Sequence, residues 1–388
     1  MSPRVAIVGG GLGGLAAAAF LYQAGVPAVV YEQARQLREV GAGIMVAPNG
    51  ARMLRRLGVL SAFCERAVRL DTGWEFRRWQ DGTVLSAVDL AANATQLYGD
   101  DMYTVHRADL LDSVKRAVPA DAVRLGKRLA GCSAAADGVR LDFTDGESVE
   151  ADVLIGADGI HSLIRGVHTE PAPPVHSGMC AFRALVPVAA APDLACRPAQ
   201  VVWLGPGRHV VHYPVSAGEM INLVAIAPAG DYVTESWTAT ATVEEFLAEF
   251  DGWDDRLRSL ISAARTPGRW ALLIRQPLPR WTWDRVTLLG DAAHPMLPFL
   301  GQGAAQAFED AAVLAHCLAE HDPALALRRY ESARLARASQ VQQGSHARAD
   351  FNHLPDGPEQ CARDSALRAA DPLAANAWIY AHDPLSAH

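Results

Sequence analysis

Cysteine is sparse in this sequence, and the six residues, Cys64, Cys132, Cys180, Cys196, Cys317 and Cys361, form no CxxC pair. A disulfide framework is therefore excluded, and the thiols read as reduced and mostly buried in a cytoplasmic protein. No Cys/His cluster has zinc-ligand spacing, so no metal is expected. No apolar run reaches the ~20 residues of a membrane helix, which excludes a spanning segment. The N-terminus lacks a long apolar region ending in a cleavage site, so a secretory signal is not expected either. Cations are outnumbered, with 35 Lys and Arg against 43 Asp and Glu and a net charge of -8. Nucleic acids and anionic membranes select a basic footprint, and neither is expected as a partner. Solenoid-length repeats and low-complexity tails are also absent.

What remains is a chain of 388 residues, half of them hydrophobic. That composition excludes disorder and is enough for about two or three domains. Val5-Ala6-Ile7-Val8 is a short β-branched run, as in a buried parallel strand. Glycines follow at 9, 10, 11, 13 and 14. Leu15 to Ala24 is alanine-rich with helical periodicity, and Gly25 ends it. Ala28 to Tyr31 is a second strand, closing on Glu32. The whole reads as a βαβ unit.

Farther on, Trp74 to Trp79 alternates before an Asp81-Gly82 turn, so an antiparallel strand is expected. Val139 to Phe143, Asp145-Gly146 and Val149 to Ile155 read as a hairpin that returns to a buried strand. Alternation resumes from Ala181 to Ile226, which predicts a mostly antiparallel sheet. Val286 to Leu289 is a last short strand, and helix follows Gly303 with few breaks until Pro355. The fold class is α/β: a Rossmann-like nucleotide-binding domain interrupted by a mostly antiparallel β-sheet domain, with C-terminal helices.

Gly9, Gly11 and Gly14 fit G-x-G-x-x-G. The first glycine allows the tight turn, the second lets backbone approach a pyrophosphate, and the third lets helix and strand pack closely. The helix N-terminus then offers unpaired N–H groups to the phosphates. Glu32, at the end of the next strand, is placed to accept hydrogen bonds from a ribose diol. The motif alone does not separate FAD from NAD. Asp158 sits in an Asp-Gly turn after the apolar strand 152–156. Asp291 ends the strand Leu288-Leu289-Gly290, where an acid can bind a chain of hydroxyls. The helix that begins near Gly303 and Ala304 favours a negative charge in front of it. Glu309 and Asp310 read as a solvated helix face, and so does the face bearing Arg328, Arg329, Arg334 and Arg337. His294, before a proline, reads as structural.

Taken together, the motifs at the N-terminus, near 158 and near 291 resemble the single-component FAD-dependent aromatic hydroxylases of the p-hydroxybenzoate hydroxylase fold. The similarity is to the branch holding salicylate hydroxylases, 3-hydroxybenzoate 6-hydroxylases and 6-hydroxynicotinate 3-monooxygenases. It is carried also by Gly41-Ala42-Gly43-Ile44, Pro48-Asn49-Gly50, His106-Arg107-Ala108-Asp109-Leu110 and Gly290 to Gly303. The resemblance implies an FAD-binding part over 1–72, 103–173 and 275–345, a substrate-binding sheet part over 73–102 and 174–274, and a C-terminal helical segment over 346–388.

It implies FAD as cofactor, NADH or NADPH as co-substrate, and O₂. By the same resemblance Glu32 holds the adenosine ribose, Arg107 contacts FAD, Asp158 serves FAD and NAD(P)H, and Asp291 binds the ribityl chain. Leu12, Gln33, Leu129, Gly303 and Ala304 join the FAD site. The implied reaction adds a hydroxyl to a small hydroxylated aromatic acid through a flavin C4a-hydroperoxide.

Strand alternation puts His209, Val211 and Tyr213 on one face of the strand from 207 to 215 and Val210, His212 and Pro214 on the other. In the resembling branch a His and a Tyr at the first face line the substrate pocket. His209 is expected to assist deprotonation of a ring hydroxyl and Tyr213 to orient the substrate. Met45, Arg183, Val211, Pro298 and Phe299 complete the expected pocket. Met45 and Phe299 make it more apolar than in the hydroxynicotinate enzymes. Arg183 pairs with a substrate carboxylate or supports the flavin; the residues leave both open. The rival readings are a same-fold enzyme that tailors or epoxidises a larger natural product, and a non-catalytic FAD-binding sensor. Oligomeric state, monomer or homodimer, is open as well.

Overall fold

The computed structural model describes residues 2–37, 43–90, 93–135, 138–170, 172–191, 194, 197–232, 234 and 239–386. Gly41, Ala42 and Cys196 lie outside the described residues.

Among the described residues the first sheet has six strands, in the order Thr282–Trp283, Val286–Leu288, Val153–Gly156, Val5–Val8, Ala28–Glu32 and Val123–Leu125. Val5–Val8 is buried throughout and pairs in parallel with both neighbours. A strand covered on both faces needs a continuous apolar run, which is what these residues supply. The helix Leu12–Gln23 follows the glycine-rich loop and packs beside the helix Gly303–Glu320. The stretch 149–155 divides at Asp152. Ser148–Ala151 stays in a small antiparallel sheet, while Val153–Gly156 enters the parallel one. Asp152 marks the change of sheet by accepting the Arg4 backbone N–H at 2.7 Å and its guanidinium at 2.9 Å.

The second large sheet has seven described strands: Gly268–Ile274, Val175–Pro187, Met220–Pro228, Arg208–Val215, Ala199–Gly205, Thr72–Arg78 and Val84–Asp89. All pairings are antiparallel except that between Ala199–Gly205 and Thr72–Arg78. One face carries Trp203, Val210 and Leu223 against Phe246 and Leu257 of the helices Val243–Glu249 and Asp255–Ser262, and against Phe250 just after the first. The other face carries Phe76, Val202, Val224 and Ile226 and looks toward the turn Pro298–Leu300 and the C-terminal helices.

The helical region keeps one sequence expectation and corrects others. The helix Pro323–Asn352 fits the helical stretch expected as far as Pro355. Asp322 caps its start by accepting the Leu325 N–H, with Pro323 in the first turn, as the helix N-terminus prefers. Glu309 and Asp310 are not a solvated face, and neither is Arg334: all three are buried and joined to one another. Of the other arginines of that expected face, Arg328 and Arg329 are exposed, whereas Arg337 is 11% exposed and lies 3.8 Å from Glu309. The described cysteines are free thiols but not mostly buried: Cys180 and Cys317 are buried, Cys132 is intermediate, and Cys64 and Cys361 are exposed. No described helix is long and apolar enough to cross a membrane.

Candidate active site

A cavity of about 330 Å³ lies where the two large sheets approach each other. That is the low end of the usual range for ligand sites, about 300–1,000 Å³. Its first wall comes from the parallel-sheet part. Gly11, Leu12, Arg107, Asp291, Gly303 and Ala304 line it, as expected for a nucleotide site. Its second wall comes from the other sheet, the strand Gly43–Val46 and the turn at 298–300, with Met45, Arg183, Val211, Pro298 and Phe299. His209 and Tyr213 face the same space. The expected alternation places all three residues of that strand, because His209, Val211 and Tyr213 share a face. His212 is buried on the far side, its ring 6.4 Å from that of Trp203.

The remaining expected site residues stand behind the cavity or beside it. Gly9 has a φ of +111°, and a Cβ there would lie 2.2 Å from the Ala157 carbonyl oxygen. A Cβ on Gly14 would lie 1.9 Å from the Gly9 oxygen. Only glycine lets this turn and helix close together. Glu32 accepts the Gly10 N–H at 2.6 Å and the Ala34 N–H at 2.7 Å, so it holds the loop from below. Gln33 is exposed beside it. Leu129 is buried at the start of the strand Leu129–Ala135 and does not line the cavity. Asp158 accepts N–H groups of Leu163 and Ile164 through one oxygen, and its other oxygen is buried without a partner. Burial pushes the Asp158 carboxyl up from its ordinary value.

These residues fit FAD. The helix Leu12–Gln23 starts at the cavity with no side-chain cap on its N-terminus, and nothing lies within 4 Å of a Cβ built on Gly11. Free N–H groups over an open glycine are what a pyrophosphate needs. The helix Gly303–Glu320 also begins at the cavity without a side-chain cap, which suits a group that gains negative charge. Because Glu32 orders the loop, Glu32→Gln is expected to weaken FAD retention about tenfold, the worth of one hydrogen bond lost where an amide cannot accept. Equilibrium dialysis of FAD against the two proteins measures this.

Behind the first wall lies a buried polar network absent from the sequence reading. Arg334 donates to Glu309 at 2.7 Å and to Asp310 at 2.8 Å. Asp310 also meets His294 at 2.6 Å and accepts the Gly290 N–H at 3.1 Å. His294 is thus structural, as its sequence context suggests. Asn49 bridges Glu309 and Gln302 at 2.7 and 2.9 Å. The network therefore ties down both the 290–291 turn and the loop before Gly303. Burial alone would raise the Asp310 carboxyl, but His294 and Arg334 outweigh it and hold it at about 2. That value lies below the ordinary one, so the carboxylate contributes fully above the ordinary value. Its contribution is lost as pH falls from there through about 2. Acid unfolding of the wild type and of Asp310→Asn should accordingly differ at neutral pH and converge near that pH.

The second wall holds groups that sequence reasoning missed. His209 Nδ1 lies 2.6 Å from Nε2 of His353, at the end of the helix Pro323–Asn352. Burial pushes the His209 imidazole well below its ordinary value, and His353 and Arg348 add to this. Burial likewise takes His353 down to about 4. Trp74 and Phe76 line the same wall. Trp74 holds a φ of +47° and donates to the Tyr380 hydroxyl at 2.9 Å. Such a backbone costs about 1–3 kcal/mol and needs support around it. The pairing of its strand shifts register on both sides there, which is how a tryptophan meets the cavity next to Phe76. The alternating pattern of 74–79 gives no hint of the irregularity.

Known proteins resemble this chain over nearly all of its length. Residues 3–345 match the model of the FAD binding domain family. The chain is 43% identical over 380 residues to a 3-amino-4-hydroxybenzoate 2-monooxygenase of Streptomyces platensis, covering 97% of this chain and 96% of the relative. It is 40% identical over 355 residues to a 6-hydroxynicotinate 3-monooxygenase of Pseudomonas fluorescens, covering 89% and 91%. Among solved structures, HpxO of Klebsiella pneumoniae complexed with FAD and uric acid superposes with a TM-score of 0.84 at 31% identity, covering 96% and 94%.

Proposed function

We propose that this chain, which belongs to the FAD binding domain family and is an FAD-dependent aromatic monooxygenase, uses NADH or NADPH and O₂ to hydroxylate a small aromatic acid bearing a ring hydroxyl. The carrying observation is the His209–His353 pair, which opens on a largely apolar cavity facing the FAD wall.

When bound, FAD supplies the electron transfer and the oxygen activation. The chain's own residues do the rest. A ring hydroxyl titrates near ~10, like a tyrosine, and the phenolate is the better nucleophile. Buried His209 is held neutral, so one of its nitrogens can accept while the other donates. It takes the hydroxyl proton at Nε2 and releases one from Nδ1 to His353 Nε2. His353 is only part-buried and passes the proton outward. Neither imidazole retains it, since both are held below their ordinary value. A pair of this kind moves protons and does not store them.

Tyr213, next along the same face, orients the ring. Burial raises its hydroxyl, which stays neutral and donates or accepts as the substrate requires. Phe299, Val211 and Met45 keep water from the reacting centre. The two named relatives act on ring acids that carry a hydroxyl, which supports the substrate class.

The test is NAD(P)H oxidation by the yellow holoenzyme against 3-amino-4-hydroxybenzoate, salicylate, 3-hydroxybenzoate and 6-hydroxynicotinate, with product analysis. Acceleration by one of them with a hydroxylated product is expected. Indifference to the panel contradicts the small-acid reading and favours a larger substrate.

A further inference from the structure

Two cations line the cavity without a carboxylate partner among the described residues, Arg183 and Arg348. They stand at opposite ends of the sheet. Arg183 is on the strand Val175–Pro187, and its guanidinium lies 4.8 Å from the Trp270 ring. Arg348 comes from the helix Pro323–Asn352 and lies over the rings of Phe76 and Phe351, at 5.4 and 4.2 Å. Three strands separate Val175–Pro187 from Phe76's strand, which at about 4.8 Å per spacing puts the two backbones roughly 19 Å apart. The charges around them differ too: Arg183 faces Tyr213 and Arg107, whereas Arg348 faces Tyr380 and Arg363.

Arg348 shares the cavity with two amides that each have an unpaired buried oxygen, Gln200 and Asn352, while Gln302 Nε2 and Arg183's own Nε are buried without a partner as well. Gln200 and Asn352 are 5% and 3% exposed. Asn352 is one helical turn from Arg348, on the same helix face. Which end of each amide points inward is a matter of a simple flip, and either amide can present N–H donors to an anion. A buried cation among aromatic rings is costly without a partner, and amides beside it that can turn an N–H toward the same space suit an anionic ligand.

We propose that Arg348, with Gln200 and Asn352, forms the carboxylate site of the substrate pocket in preference to Arg183. The inference rests on the small-acid reading above and adds a direction to it. The acid group lies toward the Phe76 strand, and the hydroxyl reaches His209, two strands away. Arg348 is thereby a specificity-determining residue: it selects acids over their neutral analogues.

The test titrates oxidised holoenzyme with 4-hydroxybenzoate and with 4-hydroxybenzamide, following the flavin spectrum, in the wild type, Arg348→Met, Arg348→Lys and Arg183→Met. Arg348→Met should weaken the acid roughly tenfold to a hundredfold, as for a lost charge-assisted hydrogen bond, and leave the amide nearly unchanged. Unchanged amide binding also shows that the variant folds. Arg348→Lys should restore part of the acid's advantage. Equal loss of acid and amide in Arg348→Met, or an acid-specific loss in Arg183→Met alone, overturns the assignment while the small-acid reading stands. Wild-type protein that binds neither probe overturns both.

Discussion

Arg334→Met is expected to remove about 3–5 kcal/mol of stability and most of the bound FAD. Arg334 is 1% exposed and satisfies Glu309, Asp310 and the Gln306 side chain at once. Methionine fills much of the volume but leaves two carboxylates in a dry interior, with only His294 beside Asp310 and Arg337 and His382 at 3.8 Å from Glu309. The same acids hold the Gly290 N–H and Asn49, so the loss reaches both segments that line the first wall. Unfolding by urea, with and without FAD, measures the two effects separately. The apo protein should lose most of the stability, and the added stabilisation by FAD should shrink as well. A loss below about 1 kcal/mol, the usual worth of an exposed pair, would show that the network does not hold the site.

His209→Gln is expected to lower coupled hydroxylation about 10²- to 10⁴-fold, the usual worth of a positioned proton-transfer group. Glutamine keeps hydrogen bonds on both sides, but its amide cannot take up one proton and release another. The proton route to His353 is cut, and the hydroxyl must ionise unaided. The variant's rate should therefore climb with pH toward the hydroxyl's own titration near ~10, whereas the wild type stays level from about pH 6 to 9. Burial keeps His209 neutral throughout that window, so its own protonation does not enter. His353→Gln should show the same pH slope with a smaller loss, because His209 can still accept. A level profile in His209→Gln would mean that the pair is structural. NAD(P)H consumption should fall less than product formation, since a substrate that is not deprotonated leaves oxygen to be lost as H₂O₂.

The parts of the site that were legible in the sequence depend on short-range patterns. The spacing of Gly9, Gly11 and Gly14 between a β-branched run and an alanine-rich helix is a local signature. So is Asp291 at the end of an apolar strand. Period-two alternation sufficed to put His209, Val211 and Tyr213 on one face, because the strand Arg208–Val215 is regular. What was not legible depends on partners far along the chain. Glu309 and Asp310 look like a solvated pair on a helix until Arg334, on the next helix, arrives to neutralise them. Charged residues are seldom buried unless paired, and no local pattern announces the pair.

Arg348, Asn352 and His353 were missed for a related reason. They lie at the end of a long helix of mixed polarity, where no apolar stripe marks an inner face. Gln200 is one polar residue in an apolar strand, and only the cavity gives it meaning. Trp74 escaped because its left-handed backbone breaks the alternation that the sequence displays.

The most direct test of the central claim is the fate of molecular oxygen. Holoenzyme is turned over with NAD(P)H under ¹⁸O₂ on the acid that accelerates NAD(P)H oxidation most, and the aromatic product is weighed by mass spectrometry. An aromatic-acid hydroxylase must give a product carrying one ¹⁸O in a new ring hydroxyl, with the other oxygen atom leaving as water. Unlabelled product, or NAD(P)H consumption that yields only labelled H₂O₂ with every acid tested, would contradict it.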